Sequence, residues 1–207
     1  MTNGNDEIAQ WISGLADADP LAREASALRL YRAGELLCSL AWKGWIDDQE
    51  FRELVRPFAI TTAGEPGSER TPFVIGVAVQ PGNFEKIRIA NGSPRLAEVP
   101  PDQDAIEIEL RFGDRSPLDI LTTSEPGGSG AIARYLQKFG EGIQQIEVNV
   151  TGVDRASRIL RDRFGLSPIY PATRPGADGT RVNFFLVPAP DGKKVLIELV
   201  EPPAKTW

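Results

Sequence analysis

The chain of 207 residues has room for a domain of about 130 residues with a sizeable core and a smaller attachment. Its 41% hydrophobic and 25% charged residues are the mixture of an ordinary folded protein. A net charge of −6 with no basic run excludes the phosphate-neutralising surface that nucleic acid requires, and no apolar stretch approaches the ~18–20 residues of a membrane span. A single cysteine, Cys38, cannot close an intramolecular disulfide, and no basic leader precedes an apolar run, so the expected location is cytoplasmic. The chain contains no histidine, which rules out Ser–His or Cys–His catalysis and any metal held by imidazole.

In chain order, residues 1–65 read as a helical attachment. Asp19 before Pro20 is a helix start, with Asp as N-cap and Pro at the first helical position. Leu21, Ala25, Leu28, Ala33, Leu36, Leu37 and Leu40 then recur at roughly helical spacing, giving one or two helices as far as Trp45, with Gly34 where a break would fall. Asp47 and Asp48 can cap a further helix over 49–55 that ends before Pro57. Trp11, Trp42, Trp45 and Phe51 supply aromatic bulk, for a packing module or for a docking surface. Residues 61–70, TTAGEPGSER, are turn-rich and read as a linker.

Two similar successions follow. In 71–126 the spacing predicts a strand over 74–79, a helix over 81–90, and strands over 95–99, 105–112 and 118–123. IEIELRF alternates, setting Ile106, Ile108 and Leu110 against Glu107, Glu109 and Arg111. A helix over 131–139 leads to the second succession, 140–203. There GEGIQQIEVNV alternates as a strand, 154–164 is an amphipathic helix, and strands return, ending in KKVLIELVE. Strand, helix, strand, strand, strand occurs twice, so the expected architecture is α+β with two βαβββ modules forming a curled-sheet cleft.

The run RYLQKFGEGIQQIEVNVTGVDRASRILRDRFG, followed by RPGADGTRVNFFLVP and KKVLIELVE, resembles the second half of methylmalonyl-CoA epimerase, of the vicinal oxygen chelate (glyoxalase-like) superfamily. In that family the corresponding strands read GEGIHHIAFEV and VLIELVE. The resemblance spans roughly 73–202 and implies one glyoxalase-like domain over 71–203. It further implies a cleft in which ligands from facing strands hold a divalent metal while carboxylates move a proton next to a carbonyl. Carried over residue by residue, the first family histidine falls at Val74, which cannot ligate, and the second at Gln145. The remaining ligands fall at Asp119 and Glu198, and the family's proton-transfer base falls most naturally at Glu98 in EVPPDQDA.

Asp119, Gln145 and Glu198 would then converge as a set of oxygen donors. Such donors suit weakly bound Mg²⁺, Mn²⁺ or Ca²⁺ better than Zn²⁺, Co²⁺ or Ni²⁺, or they form a hydrogen-bonded cluster with no cofactor at all. The metal-free cluster is the expectation. Arg181 and Arg174 are cations that could stabilise an enolate, Asn183 is a polar strand residue able to face the cleft, and Tyr170 either caps a pocket or packs in the core. Two functions remain open. One is a degenerate-site protein binding a small acidic or acyl metabolite or a protein partner, with a homodimer as the conceivable assembly. The other is an isomerase or lyase similar to methylmalonyl-CoA epimerase, with Glu98 and Glu198 as the catalytic carboxylates.

Overall fold

The computed structural model describes residues 4–41, 44–45, 47–55, 73–112, 116–188 and 194–203. The expected linker at 61–70 lies outside the described residues. The chain divides into two compact units, 1–34 with 75–144, and 35–74 with 145–207. Residues 1–65, expected as one attachment, are thus shared out between them.

In the first unit, α1 (Gly4–Gly14) precedes α2 (Pro20–Ala41). The α1 helix was not foreseen from the sequence. Asp19 behaves as expected of an N-cap residue, its carboxylate accepting the Leu21 N–H at 3.1 Å. The α2 helix runs unbroken through Gly34. Its buried stripe is Ala27, Leu30, Tyr31 and Cys38, whereas Leu21 and Leu36 are 72% and 61% exposed. The expected apolar face was therefore rotated. Small residues at 27 and 34 help define the inner face because they allow close packing, and Leu21 and Leu36 sit outside it. A Cβ on Gly34 would come within 2.5 Å of the Ile75 side chain, so glycine permits this approach of helix to strand.

The first unit's strands are β1 (Phe73–Ala78, whose first two residues fall in the other unit by this division), β2 (Ile106–Phe112) and β3 (Ser116–Thr122), with α3 (Gln49–Leu54) belonging to the other unit and α4 (Pro81–Ala90) following β1. β3 lies parallel to β1 and antiparallel to β2. Residues 95–99, expected as a strand, are irregular, with one ladder-like bond from the Ala97 N–H to the Glu107 carbonyl at 3.0 Å. Pro94 and Pro100 bracket the segment and offer no N–H, which limits ladder formation. Ile75, Val77, Ile108, Leu118 and Ile120 are buried on one face, and Phe84 and Ile87 of α4 are buried likewise. At the end of the other face, Ile132 and Leu136 of α5 (Ala131–Phe139) pack with Ala78 and Leu121.

The second unit contains β4 (Gly142–Asn149), α6 (Val153–Phe164), β5 (Arg174–Pro175), β6 (Arg181–Pro188) and β7 (Lys194–Glu201). β4 and β7 are parallel, β7 and β6 antiparallel, and β6 and the short β5 antiparallel. Ile146, Val148, Phe185, Ile197 and Leu199 are buried on the face that meets α6, whose Ala156, Ile159 and Leu160 are buried in turn. Arg163 pairs with Asp48 and Glu50, and Arg155 with Glu50, tying α6 to α3. The two units thus share one pattern: the first strand lies parallel to the last, and the last antiparallel to the strand before it.

Candidate functional site

Strand alternation decides what each face carries. In β4 it sends Ile146 and Val148 toward α6 and places Gln145, Glu147 and Asn149 on the opposite face. On β7, Glu198 stands directly across from Glu147. Gln145, one pair earlier, donates its side-chain amide to Glu198 Oε2 at 2.7 Å and to Glu147 Oε1 at 3.1 Å. An amide NH₂ has two donors, and here it joins two carboxylates on neighbouring strands. Gln145 and Glu198 are 7% and 8% exposed. A carboxylate offers about four acceptor positions, so polar groups of this kind are the chemistry by which a strand face can meet a hydrogen-bond donor.

On β6, Phe184 stands across from Glu198 on the same face. The preceding loop is held to this strand by the Ile169 N–H, which donates to the Phe184 carbonyl at 2.7 Å, and by a bridge between Pro168 and Phe185. Tyr170 consequently meets the Phe184 ring edge-on at 6.1 Å, and the Arg174 guanidinium lies 4.4 Å over the Tyr170 ring.

The other residues singled out from the sequence are distributed as follows. Asp119, 5% exposed, sits on β3 in the first unit, across from Gly76 and Glu109. Because Gly76–Asp119 and Glu147–Glu198 occupy matching places in the two pairings, Asp119 is the counterpart of Glu198, and Val74 that of Gln145. Glu98 is exposed on the irregular segment after α4. Asn183 and Arg181, expected to bind a ligand, lie on the other face of the sheet from Gln145 and Glu198. Asn183 is 3% exposed and donates to Ser157 of α6 at 3.3 Å. Arg181 pairs with Asp154 and with Glu201. Phe184 pairs with Glu198, so the odd-numbered residues of β6 must point away. Arg181 also explains why the Asp154 carboxyl is held below its usual range. Glu147, which the sequence reading did not single out, joins the Gln145–Glu198 cluster, and its place two residues after Gln145 in an alternating strand was the available signal.

A chelate of imidazole type does not fit these residues, since the chain has no histidine and the counterpart of one ligand is Val74. Among the described residues no three Asp, Glu, Cys or His side chains are grouped to hold a metal. Nor, among them, is any helix long and apolar enough to cross a membrane.

This fold and this site define an α+β protein with duplicated strand–helix–strand modules. The chain is 31% identical to methylmalonyl-CoA epimerase from Mycobacterium tuberculosis over 64% of its own length and 87% of that chain, with a TM-score of 0.50. A hypothetical protein from Bacillus halodurans C-125 is 26% identical over 65% and 95%, with a TM-score of 0.52. A methylmalonyl-CoA epimerase in complex with methylmalonyl-CoA and NH₄⁺ is 27% identical over 63% and 93%, with a TM-score of 0.50. No family model matches the sequence, and no curated protein does. The chain belongs to the vicinal oxygen chelate superfamily, and its structural neighbours there include methylmalonyl-CoA epimerases.

Proposed function

We propose that the protein binds a small acidic or acyl metabolite on the face carrying Gln145, Glu147 and Glu198, and does so without imidazole-ligated metal chemistry. The observation that carries this reading is the Gln145 amide bridging Glu147 and Glu198, where Gln145 and Glu198 stand at positions that the superfamily resemblance gives to metal ligands. A neutral amide between two acids satisfies hydrogen-bond acceptors at a place where a chelate would need nitrogen donors. The structural neighbour in complex with methylmalonyl-CoA supplies the probe. Calorimetry should show methylmalonyl-CoA binding to the wild type and a loss of about tenfold or more in Gln145→Leu. Elemental analysis of protein purified without chelators should find no stoichiometric Zn²⁺, Co²⁺ or Ni²⁺, and at most weakly held Mg²⁺, Mn²⁺ or Ca²⁺. A stoichiometric transition metal, or a wild type that ignores acyl-CoA esters, overturns the reading.

A second reading, an isomerase moving a proton next to a carbonyl, draws on one observation: a buried carboxylate, Glu198, sits beside a hydrogen-bond donor in the same cluster. Buried acids without chemical use are costly to keep. In this reading Glu198 is the base that takes the proton. Deuterium exchange into methylmalonyl-CoA in D₂O, abolished by Glu198→Gln, is its expected signature; no exchange by the wild type sinks it.

A further inference from the structure

We infer that the outward face of α2 is a self-association surface, on which a second copy of this chain docks antiparallel about Leu28. The inference is independent of the proposed function. The superfamily resemblance spans roughly 73–202, so α2 lies outside the part of the chain that it covers.

The helix buries Ala27, Leu30, Tyr31 and Cys38 on one side. On the other, Leu21, Ala25 and Leu28, and likewise Glu24, Leu28 and Arg32, stand three or four residues apart and form one strip. Leu21 is 72% exposed, Glu24, Ala25 and Arg32 are exposed, and Leu28 is half-buried between them. A helix that packs by one side normally turns polar residues outward, whereas this strip is apolar along its centre. Its charges are set apart, the acid toward the N-terminus and the base toward the C-terminus. Eight residues, about 12 Å of helix, separate Glu24 from Arg32, too far for a pair within one chain. Among the described residues no ion pair involves either. Leu28 stands midway between them. A second helix laid antiparallel, Leu28 against Leu28, therefore sets Glu24 opposite the partner's Arg32 and Arg32 opposite the partner's Glu24. A parallel copy would set like charges against each other, which is destabilising. Charge placement thus selects both occupant and direction, because an antiparallel copy of the same helix supplies two complementary pairs around one apolar contact. One pair of helices buries less than the about 1,200 Å² of a stable interface, so the dimer is weak and concentration-dependent.

Sedimentation velocity of the full chain, from about 1 µM to about 1 mM, should show monomer passing into dimer. Glu24→Arg and Arg32→Glu each turn both symmetric pairs repulsive, and each should weaken the dimer by about tenfold. The double variant, Glu24→Arg with Arg32→Glu, restores opposite charges and should recover wild-type association. Leu28→Glu sets two acids on the two-fold axis and should leave monomer at every concentration. Added salt should narrow the differences among the charge variants. Glu24 and Arg32 are exposed, so the charge variants should keep the wild-type urea midpoint and serve as folded controls. A wild type that stays monomeric throughout overturns the inference. So does a dimer that Leu28→Glu leaves intact, or a double variant that associates no better than the single ones.

Discussion

The two units place the same strand pairs in the same registers and dress them with opposite chemistry. In the first, β1 offers Val74 and Gly76, and the charge on that face comes from Asp119 together with Glu107, Glu109 and Arg111 on β3 and β2. In the second, β4 carries Gln145 and Glu147, β7 carries Glu198, and β6 turns apolar with Val182, Phe184 and Leu186. Each unit has two acids directly opposed across strands. Glu109 and Asp119 have a cation beside them, since Arg111 pairs with Glu109. Glu147 and Glu198 have a neutral amide between them. Duplication of a backbone therefore does not duplicate a site, because the pairing depends on the main chain and the chemistry on side chains that change independently.

The largest effect should come from Phe185→Ala, which empties a fully buried ring position against α6 and should cost about 3–5 kcal/mol in urea unfolding. Its counterpart Leu110→Ala removes less volume and should cost nearer about 2 kcal/mol; equal losses would mean the two cores are not packed as unlike as they look. Gly34→Ala should cost about 1–3 kcal/mol, since the new methyl meets Ile75, and Ile75→Val in the same chain should recover part of the loss. Gln145→Val makes β4 resemble β1 and removes the donor shared by two acids. A loss of about 1–3 kcal/mol at neutral pH is expected, and an unchanged midpoint would show that the amide is dispensable.

Glu198→Gln should stabilise the protein by up to about 1 kcal/mol through relief of the facing charges. Asp119→Asn should do less, because an arginine is already part of that network. If Glu198→Gln destabilises, the acid is held by contacts beyond the amide.

The smallest effect concerns how the helices are fastened. In the first unit, Glu141 accepts the Gln80 N–H and the Asn83 amide at the start of α4. In the second, arginines fasten α6 to α3. The Phe51 N–H and Arg163 hold the Asp48 carboxyl below its usual range, and Arg155 and Arg163 do the same for Glu50. Folded-state values below the unfolded ones contribute stability above about pH 4, and that contribution is lost as pH falls through the folded values. Arg163→Gln should therefore lower Tm slightly near neutrality, and the gap should close in acid and narrow in salt.

Much of the fold was legible because the relevant periods are long and clean. The helices Pro81–Ala90 and Ala131–Phe139 fall where the spacing puts them, and β4 and β7 differ from expectation by a residue or two at their ends. The face of α2 was misread because leucines weigh heavily in a hydrophobic pattern, whereas the inner stripe is built from Ala27, Leu30, Tyr31 and Cys38 beside a glycine. The site was legible only in part for a different reason. Alternation separates the odd from the even residues of β6, but only the pairing of Phe184 with Glu198 tells which set shares a face with the acids. Asn183 and Arg181 were the polar choices in that strand, and both belong to the helix side.

That same alternation bears on which kinds of mutation the protein can survive. Substitutions test one side chain at a time, but losing one residue from the middle of β4 shifts every residue beyond it by one place. Glu147 and Asn149 would turn toward α6, and Ile146 and Val148 would take their places beside Glu198. The face is thus open to gradual chemical change and closed to changes in length, so its lineage can drift in chemistry only by replacement within strands, with insertions and deletions confined to the connections between them.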